Sequence, residues 1–281
     1  MRILLAGRNG QVGWELERVL PALGEVIATD RGTLDLADLE GARRRLREIK
    51  PDLIVNAAAY TAVDKAEAEP ELAARVNGAA PGVLAEEAKR LDARLVHYST
   101  DYVFDGGKCS PYTEDDSPSP VSHYARTKLA GERAIAAAGC RHLILRTSWV
   151  YSPRATNFYQ VIARKAAAGE SMRMVDDQTS VPTTSAFLAE QTAAMLRTKA
   201  EGLVHLVPSG QATRYEFARE VVRAFGSSAR VEAAKTAEFP AAAHRPAYSV
   251  LSNSKAAALL GATLPDWQAL LHAAVKVWTR Q

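Results

Sequence analysis

The 281-residue sequence predicts an α/β protein built around an open, mostly parallel β-sheet. Two features carry this prediction. Apolar runs of strand length recur along the first half of the chain, and they are continuous rather than alternating, as expected for strands buried on both faces. Between them lie segments with apolar residues at intervals of three and four, the pattern of a helix that buries one face. Strands that alternate with helices favour right-handed crossovers in a parallel sheet.

Strands and helices alternate through the first 150 residues, which are predicted to form the first lobe (1–150). The strands cover 2–7, 25–30, 53–58, 94–100 and 142–148, and the helices cover 11–20 and 38–49. Leu39, Leu46 and Ile49 mark the apolar side of the second helix.

The alternation of strand and helix patterns becomes less regular after residue 150, which predicts a smaller second lobe over 151–281. Its boundary is approximate and leaves room for strands that cross back to the first sheet. Helical patterns cover 157–169, 184–199 and 213–226, a strand pattern covers 202–208, and a last helix follows 265–267. Thr213 and Glu216 have the spacing of a capping box, in which each side chain accepts from the other residue's backbone N–H.

Composition excludes several classes of function. The formal net charge is only +3, and the arginine-rich segment 42–50 is interleaved with apolar residues, which indicates a solvated helix face rather than a nucleic-acid surface. Cys109 and Cys140 provide neither a disulfide framework nor metal-ligand spacing. The N-terminal apolar run is too short for a signal peptide, and no segment approaches the roughly 20 apolar residues of a membrane span. A cytoplasmic protein without nucleic-acid or membrane partners is expected.

A glycine-rich loop joins the first strand to the first helix. Gly7, Gly10 and Gly13 follow one another at intervals of three residues, which permits a tight turn, close backbone approach to a pyrophosphate, and helix N–H groups aimed at it. In strand–loop–helix context the motif predicts a Rossmann-type, doubly wound domain that binds NAD(P), with a turn that binds nothing as the alternative. The predicted cofactor contacts in this region are Gly7, Arg8, Gly10, Gln11, Val12, Gly13, Asp30, Asp35 and Leu36.

Two of these residues favour different cofactors. Asp30 ends the second strand, where a carboxylate can bind the ribose hydroxyls of NADH. Arg8 lies between the glycines, where a guanidinium can pair with the 2′-phosphate of NADPH. NADPH is expected and NADH stays open. Asp30 could instead be an ordinary loop residue, and Asp35 could either lie near the adenine or cap a helix.

Tyr124 and Lys128 are one helical turn apart, so their side chains would share a helix face. The turn-rich segment 115–122 comes just before them. In a chain with nine tyrosines, chance alone is one explanation of this spacing. The pair therefore indicates a catalytic site only in combination with the other motifs of the chain.

Motifs along nearly the whole chain resemble the extended short-chain dehydrogenase/reductases. The glycine loop, NAAA at 56–59, STDYVFDG at 99–106 and the Tyr-x-x-x-Lys pair carry this resemblance. Within these enzymes, VNAAAYTAVDKAEAEP, TKLAGE, LRTSWVY and DDQTSVPTT are similar to the dTDP-4-dehydrorhamnose reductase family. The resemblance implies NAD(P)H-dependent reduction of the C4 carbonyl of dTDP-4-dehydro-L-rhamnose to dTDP-L-rhamnose, with a dTDP-sugar as the small-molecule partner.

The resemblance also implies roles for individual residues. Tyr124 would protonate the carbonyl oxygen and Thr100 would hydrogen-bond it, while Lys128 would hold the nicotinamide ribose and make the tyrosine proton easier to donate. Further cofactor contacts would come from Ala59, Tyr60, Thr61, Tyr98 and Lys128. Contacts to the sugar nucleotide would come from Thr100, Asp101, Tyr124, Trp149 and Arg245. Without such roles Tyr124 and Lys128 would form a helix-surface pair, Trp149 would be a core residue, and Arg245 would belong to a surface salt bridge.

Two features depart from the family pattern. The family has a sequence close to NVYG around the tyrosine, whereas this chain has SHYA at 122–125, which affects positioning rather than chemistry. Some members dimerise around a magnesium ion held by carboxylates. Glu15 is available on the first helix, but the last helix at 270–281 contains no acid. No metal ligands are therefore assigned, a role for Mg²⁺ stays open, and a monomer or a homodimer is expected.

Two other functions fit parts of the pattern. One is a non-catalytic, nucleotide-sensing regulatory subunit, a role that a relative of the family has, although the intact Thr100, Tyr124 and Lys128 disfavour it. The other is a sugar-nucleotide epimerase, which uses the same three residues but retains its cofactor through a redox cycle. Turnover would distinguish the first from a reductase, and bound NAD⁺ in the purified protein would favour the second.

Overall fold

The computed structural model describes residues 1–154 and 157–278 of the chain. The strands are β1 (Arg2–Ala6), β2 (Glu25–Thr29), β3 (Leu53–Asn56), β4 (Arg94–Thr100), β5 (Arg141–Thr147), β6 (Val150–Tyr151), β7 (Met172–Val175), β8 (Thr179–Ser180), β9 (Thr183–Thr184), β10 (Gly202–His205), β11 (Ala212–Thr213) and β12 (Val231–Ala234). The helices are α1 (Gln11–Val19), α2 (Leu39–Ile49), α3 (Lys65–Ala68), α4 (Pro70–Ala74), α5 (Ala80–Arg90), α6 (His123–Ala138), α7 (Phe158–Ala168), α8 (Ser185–Leu196), α9 (Arg214–Ala224), α10 (Ser254–Leu260) and α11 (Trp267–Trp278).

The main sheet confirms the predicted α/β architecture. Six parallel strands stand in the order β2–β1–β3–β4–β5–β10. Helices cover both faces of this sheet, which explains why its central strands are largely apolar and why every residue of β3 is buried. The strand order reverses between β1 and β3, and in open sheets of this kind ligands bind at the carboxyl ends beside such a reversal.

The second half of the chain contributes to two different cores. Helix α8 and strand β10 pack with the main sheet, through residues such as Phe187, Leu188 and Val204. A separate apolar cluster contains Tyr151 and Phe217, and it joins α7, α9 and α11. The small pairs β6–β9, β7–β12 and β8–β11 accompany this second cluster. The predicted last helix is present, and its final residues, 279–281, lie outside the described part of the chain.

Helix starts follow the local chemistry of their capping residues. The capping box before α9 is confirmed, because Glu216 N donates to Thr213 Oγ1 at 3.0 Å and Thr213 N donates to Glu216 Oε2 at 2.7 Å. Asp38 is the cap of α2, since it accepts from Gly41 N at 2.9 Å. The cap role considered for Asp35 is therefore wrong. Its carboxylate accepts from Ala37 N in the preceding turn.

Candidate active site

The glycine loop has the shape that a dinucleotide pyrophosphate requires. Gly7 has φ +88°, and a Cβ on it would lie 2.7 Å from Ala58 N. A Cβ on Gly13 would lie 2.0 Å from Gly7 O, so the helix packs directly on the loop backbone. Gly10 is the N-cap residue of α1 and makes no side-chain cap, which leaves the first helix N–H groups available to an anion. The loop therefore fits the group that the sequence predicts.

Charged side chains surround the position predicted for the adenosine ribose. Arg8 Nη2 lies 2.6 Å from Glu17 Oε1, and the Arg8 side chain is 43% exposed. The hydroxyl of Thr33, which donates to Asp30, holds the pKa of Asp30 below its usual value. Arg31, which the sequence analysis missed, is 81% exposed and lies 3.5 Å from Asp35. Its position directly after Asp30 was the available signal.

The other predicted contacts of the first lobe have partners within the protein. Gln11 Oε1 accepts from Ser152 Oγ and from Asn157 Nδ2, both at 2.9 Å. This links the start of α1 to the segment before α7. Val12 packs against the core, and Leu36 is 4% exposed, so both side chains have a packing role.

A buried asparagine joins the loop after β3 to helix α6. Asn77 lies in a single π-helical turn, Arg75–Ala79, of the kind that often occurs at functional sites. Its Oδ1 accepts from Tyr60 N at 2.8 Å, and its Nδ2 donates to Tyr60 O at 3.0 Å and to Thr127 Oγ1 at 3.2 Å. A Cβ on Gly131 would lie 2.2 Å from Asn77 O, so the two helices touch at their backbones. Half-buried Ala59 and exposed Thr61 flank the clamped Tyr60.

Tyr124 and Thr100 meet at the carboxyl end of β4. Ser122 caps α6 by accepting from Ala125 N at 3.3 Å, which places Tyr124 in the first turn. Burial raises the pKa of the Tyr124 phenol well above its usual value, and the nearby Thr100 hydroxyl acts in the opposite direction. Tyr102 lies edge-on to Tyr124, with ring centroids 6.2 Å apart. The phenol is therefore protonated throughout the neutral range.

Lys128 lies beneath this pair and is 2% exposed. Its Nζ donates to Tyr98 O at 2.6 Å and lies 3.3 Å from His97 Nε2. Burial lowers the pKa of Lys128 to about 8, while the Glu132 carboxylate acts in the opposite direction. The expected lowering of the Tyr124 pKa by Lys128 is not seen, because burial dominates the phenol and Lys128 is held by strand β4. The Tyr98 ring is buried, with its hydroxyl hydrogen-bonded to Thr192.

His97 and Asn56 extend the contacts of Lys128 into the sheet, and the sequence analysis missed both. Asn56 Nδ2 lies 3.0 Å from His97 Nδ1, and Asn56 Oδ1 accepts from Ala58 N at 3.2 Å. Burial lowers the pKa of His97 far below its usual value, so the ring is neutral. A polar residue inside an otherwise apolar strand was the signal that could have revealed each of them.

Asp101, one of the residues predicted to contact substrate, is already hydrogen-bonded to several protein hydroxyls. It is 2% exposed, and its two oxygens accept from the hydroxyls of Thr100, Ser180 and Ser249. Burial raises the pKa of Asp101 to about 6. The carboxylate thus ties β4 to the second half of the chain and orients the Thr100 hydroxyl.

Trp149 and Arg245 lie at the rim of the same region. Trp149 is half-buried and has φ 40°, and the Arg214 guanidinium lies 4.3 Å from its ring centroid. Arg245 forms a two-point ion pair with Asp64, with Nη2–Oδ2 at 2.6 Å and Nη1–Oδ1 at 3.1 Å. This pair holds the pKa of Asp64 below its usual value. Sequence reasoning missed Arg214, which follows the capping threonine of α9.

Residues 1–154 and 157–278 contain neither a metal-binding cluster nor a membrane-spanning helix. This part of the chain contains no group of three or more His, Cys, Asp or Glu residues arranged to hold a metal ion. Within the same residues, no helix is both long and apolar enough to cross a membrane.

Known proteins share this sequence and fold over nearly their whole length. A family model described as the RmlD substrate binding domain matches residues 1–280. The dTDP-4-dehydrorhamnose reductase of Burkholderia thailandensis is 44% identical, with 95% of this chain and 96% of that protein covered. A solved structure of a dTDP-4-dehydrorhamnose reductase from Clostridium acetobutylicum has a TM-score of 0.95 and 35% identity, covering 99% and 100% of the two chains. The Bacillus anthracis enzyme, solved in complex with NADP, has a TM-score of 0.94 and 32% identity, covering 98% and 99%.

Proposed function

The chain belongs to the RmlD substrate binding domain family, and on that premise we propose that it reduces dTDP-4-dehydro-L-rhamnose to dTDP-L-rhamnose with a reduced nicotinamide dinucleotide. The observation that carries the proposal is the placement of the Tyr124 phenol beside the Thr100 hydroxyl at the carboxyl end of β4, with Lys128 one helical turn further along α6. Protein hydroxyls at this edge of the sheet suit a carbonyl oxygen that must be held and protonated.

In the proposed reaction, one set of residues would bind the cofactor and a second set would hold and protonate the carbonyl oxygen. The glycine loop would hold the pyrophosphate on the N-terminus of α1, and Lys128 and Tyr60 would hold the nicotinamide half. A bound reduced nicotinamide supplies the hydride to the carbonyl carbon. Tyr124 donates its Oη proton to the carbonyl oxygen, which becomes the product hydroxyl, and it regains a proton from water. Thr100 donates its hydroxyl proton to Asp101 Oδ1 in this structure, so it would turn that proton toward the same oxygen when the substrate binds.

The activity is tested by following NADPH oxidation with a panel of 4-keto sugar nucleotides. We expect oxidation with dTDP-4-dehydro-L-rhamnose, formation of dTDP-L-rhamnose, and no oxidation without a keto sugar. Folded protein that binds NADPH but oxidises it with no member of the panel would overturn the proposal. Copurified, tightly held NAD⁺ with interconversion of sugar epimers would identify an epimerase instead.

For the cofactor, we propose a preference for NADPH based on the position of Arg8. Replacing Arg8 by alanine should weaken NADPH binding by about 1.5–3 kcal/mol, the range for a hydrogen bond to a charged group, because the 2′-phosphate loses its guanidinium partner. NADH binding should barely change, since NADH lacks that phosphate. Titrating both cofactors against wild-type and Arg8→Ala protein measures the difference.

Two nearby substitutions serve as controls for Arg8. Glu17→Gln releases Arg8 from its 2.6 Å ion pair and should leave NADPH affinity unchanged or increase it. Arg31→Ala removes the second exposed guanidinium of this surface and reports whether it shares the phosphate. Equal losses for NADPH and NADH in Arg8→Ala would show that Arg8 shapes the loop or contacts the pyrophosphate instead.

A further inference from the structure

Arg214 opens helix α9 and reaches toward the proposed catalytic tyrosine. Its guanidinium lies 4.3 Å from the ring centroid of Trp149 and 4.8 Å from that of Phe158. Its Nη2 donates to Tyr102 Oη at 3.4 Å, and the Tyr102 ring stands edge-on to Tyr124. Two aromatic rings and a phenol therefore fix a cation at the edge of the site.

A buried amide fixes the orientation of this guanidinium. Arg214 Nε donates to Gln178 Oε1 at 3.1 Å, and Gln178 is 5% exposed and itself donates to Thr236 Oγ1 at 3.1 Å. Gln178 binds Nε, so the two terminal nitrogens face away from it, and among the described residues their hydrogen bonding is limited to the long contact of Nη2 with Tyr102 Oη at 3.4 Å. These two nitrogens have the geometry for two oxygens of one phosphate or carboxylate.

No carboxylate neutralises this cation among the ion pairs of residues 1–154 and 157–278. Arg245, the residue predicted from sequence to hold the diphosphate, is by contrast already in a two-point ion pair with Asp64. An anionic ligand would have to compete with that carboxylate at Arg245. At Arg214 it would compete with the neutral Tyr102 hydroxyl, the aromatic rings and water, but with no carboxylate of the described residues.

We propose that Arg214 binds the diphosphate of the sugar nucleotide, an inference that rests on the proposed reductase function. In a hexopyranose the diphosphate is attached at C1, on the opposite side of the ring from the C4 carbonyl. With C4 at Tyr124, the diphosphate must lie about one sugar ring away from the phenol. Tyr102 lies between Tyr124 and Arg214, since its ring contacts Tyr124 and its hydroxyl accepts from Arg214. The two residues are therefore separated by about the distance that the sugar ring would span.

The test measures binding of dTDP, thymidine and NADPH by calorimetry, so that it does not depend on turnover. Arg214→Gln should weaken dTDP binding about 10- to 100-fold, leave thymidine binding unchanged, and leave NADPH binding unchanged. Arg214→Lys, which keeps the charge but loses the planar fork, should fall between wild type and Arg214→Gln. The matched control is Arg219→Gln, an exposed arginine of the same helix that lies 5.6 Å from the ring of Tyr215. Arg245→Gln measures the competing assignment.

Each outcome bears on the proposal. A loss of dTDP affinity confined to the Arg214 variants, with NADPH binding retained as evidence of folding, supports it. An unchanged dTDP affinity in Arg214→Gln, a larger loss in Arg245→Gln, or a wild-type protein that does not bind dTDP would overturn it. The reductase activity is judged separately by NADPH oxidation. A protein that loses dTDP binding in Arg214→Gln but reduces no keto sugar would keep this inference and reject the reductase.

Discussion

Replacing Tyr124 by phenylalanine is expected to reduce turnover about 10²–10⁴-fold, the contribution of a positioned general acid. The ring and its edge-on contact with Tyr102 stay in place, and only the proton donor is removed. Burial raises the pKa of the phenol, so in the proposed mechanism wild-type Tyr124 would retain its proton until the carbonyl oxygen gains negative charge during hydride transfer.

The measurement compares kcat and the dissociation constant of NADPH for wild type, Tyr124→Phe and Tyr215→Phe. Tyr215 is a half-buried tyrosine on α9, outside the proposed site, and its variant should keep wild-type turnover. NADPH binding should stay close to wild type in both. If Tyr124→Phe retains more than about a tenth of wild-type turnover, the acid is another group and the assignment of Tyr124 is wrong.

Local sequence patterns predicted the elements of the fold because each pattern reports a local requirement. The continuous apolar runs found β1 to β5, since a strand covered on both faces has no polar side. The capping box before α9 needs only residues three apart. The cap role considered for Asp35 failed for the same reason, because Asp38 lies three residues further on and only backbone geometry decides which carboxylate caps α2.

The sequence predicted only those site residues that belong to a recognisable motif. Gly7, Tyr124 and Lys128 are examples, because their spacings identify them. The clamp by Asn77 depends on a π-helical turn and on contact with Gly131, and these two positions are far apart in the sequence. Such contacts form only through tertiary packing, and no periodicity encodes them. The same holds for the position of the Lys128 amine, which packing sets against β4 rather than against the phenol.

The largest expected effect on stability comes from a buried ion pair behind Lys128. Arg146 Nε donates to Glu132 Oε1 at 2.9 Å and Arg146 Nη2 donates to Glu132 Oε2 at 2.7 Å, and the two side chains are only 2% and 7% exposed. Ser99 also donates to Glu132. Replacing Glu132 by glutamine should lower the free energy of unfolding by about 3–5 kcal/mol, because Arg146 is left charged without its counterion in the interior.

Denaturant unfolding of wild type and three variants measures this effect. Asp92→Asn breaks the exposed pair of Arg141 and Asp92, with side chains 56% and 95% exposed, and should change stability by no more than about 1 kcal/mol. The double variant Glu132→Gln with Arg146→Met should be more stable than Glu132→Gln alone, since it removes the uncompensated charge. A loss below about 1 kcal/mol in Glu132→Gln would mean that solvent or another acid compensates Arg146.

The same substitution should also shift the pH dependence of catalysis. Burial already lowers the pKa of Lys128 to about 8, and the Glu132 carboxylate is the charge that opposes this shift. Without Glu132 the ammonium form is less favoured, so Lys128 loses its proton at a lower pH. If catalysis needs the ammonium, kcat/KM of wild type falls as the pH rises through about 8, and this alkaline limb moves to lower pH in Glu132→Gln. Profiles recorded below the unfolding temperature of the variant test this directly. An alkaline limb that stays in place would show that Lys128 does not set it, and would leave Glu132 with a role in stability alone.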